Sequence, residues 1–196
     1  MGWSSKLTYQ DLVARGVPRS VGILACYGDV DEAKKVFAAN PALADDPEAL
    51  SCAAGNGHEE FVRLILRYQQ ELAKRVAVVA KTRELTELLF SHGMNPSHPD
   101  WLMITPLHRF SQKGELDNAA HFIDRGADLH ARDDDLCSTP LGWAAKFGQR
   151  AMVELLLARG AQPNLPDDPP WATPLAWATR RGHREIAELL ERHGAR

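Results

Sequence analysis

The second half of the chain alternates two apolar patterns, divided each time by a glycine. The first is short and small-sided. Leu141, Ala144 and Ala145 recur at three- and four-residue spacing, which marks one face of a helix, and the alanines let a neighbouring helix approach closely. The second is bulkier: Met152, Val153, Leu155, Leu156 and Leu157 cover more than one helical stripe. Gly148 separates the two predicted helices, and Gly160 ends the second with a left-handed cap. Thr139 is suited to cap the first helix, and Pro140 takes its first position, where a missing N–H costs nothing. From Asn164 onward the residues turn polar and rich in Asp and Pro, which predicts a projecting turn.

The unit recurs. Thr105-Pro106-Leu107-His108, Thr139-Pro140-Leu141-Gly142 and Thr173-Pro174-Leu175-Ala176 stand 34 residues apart, followed in register by Gly114, Gly148 and Gly182, then by Gly126, Gly160 and Gly194. A fixed period of this length marks a stacked array, because a lone helical pair cannot bury an apolar surface that neighbours on both sides can. The last unit carries Ala187 and Glu191 where the preceding one has Val153 and Leu157, the more polar wall expected of a terminal repeat. A weaker form of the frame runs backwards through Leu85–Gly93, Ala53–Glu60 and Ala25–Asp29, with Asn40-Pro41 as a stop.

These residues resemble the ankyrin-repeat family. Thr139-Pro140-Leu141 with Ala144-Ala145, Gly148 and the run from Val153 to Ala161 carry the resemblance, joined by Gly182 to Leu190 in the last unit. The expectation is an all-α ankyrin-repeat solenoid, one domain over 1–196, of stacked helix-turn-helix units with projecting turns. Residues 1–18 form a partial capping helix, and repeats lie near 19–47, 48–71, 72–104, 105–138, 139–172 and 173–196. Three departures stand out. The unit near Glu48 leaves almost no room for a projecting turn. The unit near Leu72 lacks Thr-Pro and carries Lys81 where the inter-helix glycine belongs, so that Gln70 to Phe90 is open to fusing into one longer helix. The loops after His130 and Asn164 are one residue longer than the family norm, which predicts irregular turns.

Composition narrows the function classes. The 196 residues are 44% hydrophobic and 25% charged, with a net charge of -3, which is ordinary for a globular chain and gives no basic excess for nucleic acid. The apolar runs are too short to span a bilayer. The first residues have no apolar secretion core, and Lys6 breaks the myristoylation pattern. Cys26, Cys52 and Cys137 are odd in number and widely spaced, which favours reduced thiols and a cytoplasmic location over a disulfide frame.

Catalytic chemistry finds little support: the chain has no His-Glu-x-x-His, Gly-x-Ser-x-Gly, phosphate loop or dinucleotide glycine turn. No enzyme, cofactor or metal is therefore expected. His58, His183 and His108 read as structural by the family resemblance, and His121 as a buried, satisfied histidine. Asp133-Asp134-Asp135 and Asp167-Asp168 read as a solvated acidic rim, with a calcium site as the minor alternative.

Binding remains. The resemblance implies a protein partner docked on a concave face made by the first helices and the turns. By register that face holds Arg109, Lys113, Trp143, Lys146, Phe147, Trp177, Arg180 and Arg181, with Trp101 and Trp171 on the turns. Trp and Arg dominate interface energetics, which makes these ten the candidate contact residues. Trp143 and Trp177 are equally open to packing between repeats. The expected protein is a monomeric interaction module with an unidentified protein partner and neither nucleic-acid nor membrane binding. The alternative is a small-molecule or metal-ion sensor with a Trp-lined pocket and acidic turn residues.

Overall fold

The computed structural model describes residues 20–76 and 78–196; the expected capping helix at 1–18 lies outside the described residues. The chain divides into two compact units between Asn95 and Pro96. Among the described residues every regular element is helical and none is a strand.

The first unit contains α1 (Val21–Tyr27), α2 (Val30–Ala39), α3 (Pro47–Asn56), α4 (Glu59–Tyr68) and α5 (Arg83–Ser91), with short 3-10 turns at Pro41–Ala44 and Gln70–Arg75. Side chains start these helices: Ser20, Asp29, Asp46 and Thr82 accept from the N–H groups of Ile23, Glu32, Ala49 and Leu85. Each satisfies a donor that the first turn leaves orphaned. The core joins Leu24, Ala33, Phe37, Leu50, Ala53, Phe61, Ile65, Leu85 and Leu89, all essentially without exposure. Phe37 meets Phe61 edge-on at 6.4 Å. Burial of each such large side chain stabilises the fold by roughly 1.5–3 kcal/mol.

The segment from Gln70 to Phe90 does not fuse into one helix. After the 3-10 turn the chain becomes extended at Val76 and stays non-helical through 78–80 before Thr82 caps α5. Val76, Val78 and Val79 are β-branched and resist helix, and Thr82 supplies a fresh start. Lys81, standing at the glycine position, lays its stem over Gly57 and reaches the Asn56 carbonyl at 3.4 Å.

The cysteines correct an expectation. Cys26 and Cys52, expected as separate thiols, are joined in a disulfide, because α1 and α3 stack side by side and bring their Cα atoms to 5.2 Å. The sequence separation of 26 residues hid this proximity. Cys137 is a free thiol.

The second unit contains α6 (Pro106–Lys113), α7 (Leu116–Asp124), α8 (Pro140–Lys146), α9 (Arg150–Ala158), α10 (Pro174–Arg181) and α11 (Arg184–Arg192). The first helices α6, α8 and α10 pack in a row, as do the second helices α7, α9 and α11. In α8 the whole run from Pro140 to Ala145 is buried, since this helix has neighbours on both flanks. Thr139 and Thr173 cap their helices through Oγ1 to Gly142 N and Ala176 N, at 3.3 and 3.1 Å.

Polar tethers join successive helical pairs within each unit. After Gly57, Gly148 and Gly182 the next residue reaches back to a carbonyl near the end of the preceding pair's first helix. His58 Nε2 meets Cys26 O at 3.1 Å, Gln149 Nε2 donates to Gln112 O at 3.0 Å, and His183 Nε2 meets Lys146 O at 3.3 Å. His108, wholly buried, accepts from Thr105 N on Nδ1 at 3.1 Å and reaches Ser138 O through Nε2 at 3.1 Å. Since Nδ1 accepts, Nε2 carries the proton and donates.

Candidate functional site

The site is built on the turns that lead into α6, α8 and α10 and on the last turns of those helices. Each of the first two turns is organised by one aspartate. Asp100 Oδ1 accepts from the N–H groups of Leu102 and Ile104 at 2.9 and 3.0 Å, and Asp100 Oδ2 accepts from Arg109 at 2.6 Å. Burial alone would push its carboxyl up, but those two N–H groups and the guanidinium together hold it below its ordinary value. In the next turn Asp133 does the same work more deeply. It is 2% exposed and accepts from Asp135 N, Leu136 N and Ser138 N at 3.0, 2.6 and 3.1 Å. Its Oδ2 also accepts from Trp143 Nε1 at 2.8 Å. Met103 and Cys137 hold equivalent places in the two turns, and both have left-handed backbone, with φ of 56° and 48°. This is uncommon for non-glycine residues and fits a turn fixed by its aspartate.

The acidic turns are therefore staples, which corrects the expectation of a solvated rim at Asp133. Asp168 follows suit: Oδ2 accepts from Leu165 N at 2.8 Å and Oδ1 from Arg132 at 2.7 Å. Among the described residues no three His, Cys, Asp or Glu side chains gather as metal ligands.

The third turn departs from the first two. Pro169 and Pro170 offer no N–H there, and Asp168 is engaged elsewhere. Trp177 occupies the place of Trp143 one unit on, yet its buried Nε1 finds no acceptor among the described residues.

The ten candidate contact residues fall into three groups. Trp143 and Trp177 are each 6% exposed, so both rings serve chiefly in packing. Trp143 lies edge-on to His108 at 5.4 Å and near Phe147 at 5.9 Å. Trp101, Arg109 and Lys113 stand apart: Trp101 is 85% exposed at the tip of its turn, Arg109 is paired with Asp100, and Lys113 lies 3.6 Å from Glu115. Of the remaining five, Lys146, Arg180 and Trp171 converge around Trp177, Phe147 lies beside Lys146, and Arg181 is exposed at the end of α10. Lys146 Nζ lies 4.5 Å from the centre of its ring and the Arg180 guanidinium 4.8 Å. Trp171, 47% exposed, meets Trp177 edge-on at 6.4 Å, and its carbonyl accepts from Arg180 at 3.1 Å. Phe147, 39% exposed, lies 5.5 Å from Lys146 Nζ. The result is a cationic-aromatic cluster held by cation–π contacts.

Sequence register placed these residues on one face but missed Asp100 and Asp133 as their supports. The available signal was an aspartate five or six residues before each Thr-Pro.

Comparisons with known proteins agree with this architecture. A family model described as ankyrin repeats (3 copies) matches residues 75–167 and 107–196. The palmitoyltransferase ZDHHC17 of Homo sapiens is 32% identical over 81 residues, and the palmitoyltransferase Hip14 of Drosophila melanogaster 34% identical over 81 residues. In both cases the match covers 41% of this chain and 12% of the relative's length. Because the family model spans well over half of the 196 residues, the protein belongs to the ankyrin-repeat family.

Proposed function

We propose that the chain is a non-enzymatic interaction module that docks a protein partner on the face formed by α6, α8, α10 and the turns before them. The carrying observation is the exposure of Trp101 and Trp171 on the turns before α6 and α10, the first turn fixed by Asp100 and the second lying beside Lys146 and Arg180. Large rings on a preorganised surface bind without a large ordering cost. Family membership supports the reading, since ankyrin repeats are in general protein-interaction modules. The catalytic activity in the relatives' names is not part of the proposal, because the match covers 12% of those proteins.

Trp143 and Trp177 act here as foundations, with Trp101, Arg109, Lys113, Lys146, Phe147, Trp171, Arg180 and Arg181 as the contact set. Among the described residues no helix is long and apolar enough to cross a membrane. A cytoplasmic location loses its cysteine argument with the Cys26–Cys52 bridge.

The test is affinity capture and mass spectrometry with the wild-type chain, then titration of the captured partner against Trp171→Ala and Arg180→Ala. Each variant is expected to weaken binding by about 1 kcal/mol or more while melting close to wild type. Variants that unfold early yet bind with unchanged affinity would return both residues to the core.

A further inference from the structure

Cations in the second unit are of two kinds. Arg109, Lys113, Arg132, Arg150 and Arg159 each lie against a carboxylate of the chain itself, at distances from 2.6 to 3.6 Å. Lys146, Arg180 and Arg181 make no such pair among the described residues; nor do Arg184 and Arg192, but those two lie on α11 with no aromatic ring beside them among the described residues. Lys146, Arg180 and Arg181 sit across the ends of α8 and α10, with Lys146 and Arg180 over the ring of Trp177, Phe147 beside Lys146, and Trp171 edge-on to Trp177. Burial, then the charge of Arg181 and that of Arg180, hold the Lys146 ammonium below its ordinary value, against the pull of Asp135 and Asp133. Three cations without a carboxylate at ion-pair distance therefore share one face, with Asp133 and Asp135 acting on Lys146 from farther off.

Resting on the docking role proposed above, we propose that the partner presents an acidic peptide segment, its carboxylates meeting Lys146, Arg180 and Arg181 and an apolar residue beside them packing on Phe147 and Trp171. Charge complementarity selects this occupant. The ring of Trp177 fixes Lys146 and the guanidinium of Arg180 in place before binding, so little side-chain entropy remains to be lost. A nucleic-acid backbone fits less well. It rewards a long basic track, whereas three cations in a chain of net charge -3 offer a short one.

The experiment is selection of displayed random peptides of about a dozen residues on the full chain, followed by fluorescence anisotropy of the enriched peptides. Enriched sequences should combine Asp or Glu with an aromatic or aliphatic residue. Arg181→Glu, at an exposed position, should weaken them about tenfold without shifting the melting temperature, and added salt should weaken them further. Among single acid-to-lysine replacements along the peptide, one at the acid facing residue 181 should weaken binding to Arg181→Glu less than binding to wild type, since Lys146 and Arg180 still favour the remaining acids. Enrichment of neutral or basic peptides that still depend on Trp171 would overturn the acidic-partner inference and leave the docking face intact. Tighter retention of a DNA duplex than of any acidic peptide would likewise overturn it. Peptides insensitive to both Arg181→Glu and Trp171→Ala would remove the docking face itself.

Discussion

Trp143 Nε1 donates to Asp133 Oδ2 at 2.8 Å, joining the middle of α8 to the turn that precedes it. Three backbone N–H groups share the same carboxylate. Asp133→Ala leaves these donors buried without acceptors and is expected to cost about 3 kcal/mol, read from denaturant unfolding. Trp143→Phe removes one donor and is expected to cost about 1–2 kcal/mol. In a double-mutant cycle the two changes should be non-additive by about 1 kcal/mol. Strict additivity would mean that the indole contact contributes nothing.

His108 links stability to pH. Burial holds its imidazole below the ordinary value, despite the Ser138 carbonyl and the Asp133 and Asp100 carboxylates that favour the charged form. Protonation at Nδ1 would also lose the bond accepted from Thr105 N. The unfolded chain takes up this proton near pH 6.5 and the folded chain resists it. Its stabilising contribution is therefore complete above about pH 6.5 and lost as pH falls through the lower folded value. His108→Gln should flatten the melting-temperature profile on the acid side of about pH 6.5. Asp100, lowered in the folded state, adds a separate loss below about pH 4, which the variant should retain. An unchanged slope in the upper window would refute the role given to His108.

How legible was this molecule from its residues alone? The Thr-Pro starts, the glycine stops and the stacked second helices were readable because local signals and the repeat period agree. Lys81 was legible as a departure, but not its new task of covering Gly57. The Cys26–Cys52 bridge was not legible, since pairing depends on where α1 and α3 come to rest. Asp133 was misread as solvated because an aspartate inside a turn and one outside it look the same in sequence. Only the surrounding N–H groups distinguish them. The cationic-aromatic cluster was half legible: register gave the face, and three-dimensional packing decided which tryptophans sank.

The Cys26–Cys52 bridge joins residues 26 positions apart in sequence and constrains the unfolded chain. Chain-entropy reasoning gives it about 3–4 kcal/mol. Reduction with dithiothreitol should lower the unfolding midpoint of the oxidised wild type, and Cys26→Ser with Cys52→Ser should match the reduced protein. Free-thiol counting under denaturing, non-reducing conditions provides the direct check. More than one reactive thiol per chain would show that the bridge does not form.

Gly148 combines two demands. Its φ is 72°, a region costly for residues with a Cβ, and an added Cβ would lie 2.8 Å from Cε1 of His183. The imidazole of His183 occupies that space because it reaches over the turn to the Lys146 carbonyl. Gly182, with φ of 75°, has open space where its Cβ would stand. Gly182→Ala therefore isolates the backbone penalty, expected at about 1 kcal/mol. Gly148→Ala should cost about 1–2 kcal/mol more, because it also displaces the tether. In a His183→Ala background the two glycine substitutions should become equal. A Gly148→Ala penalty that survives undiminished in that background would show that the helix-to-helix tether carries no stability.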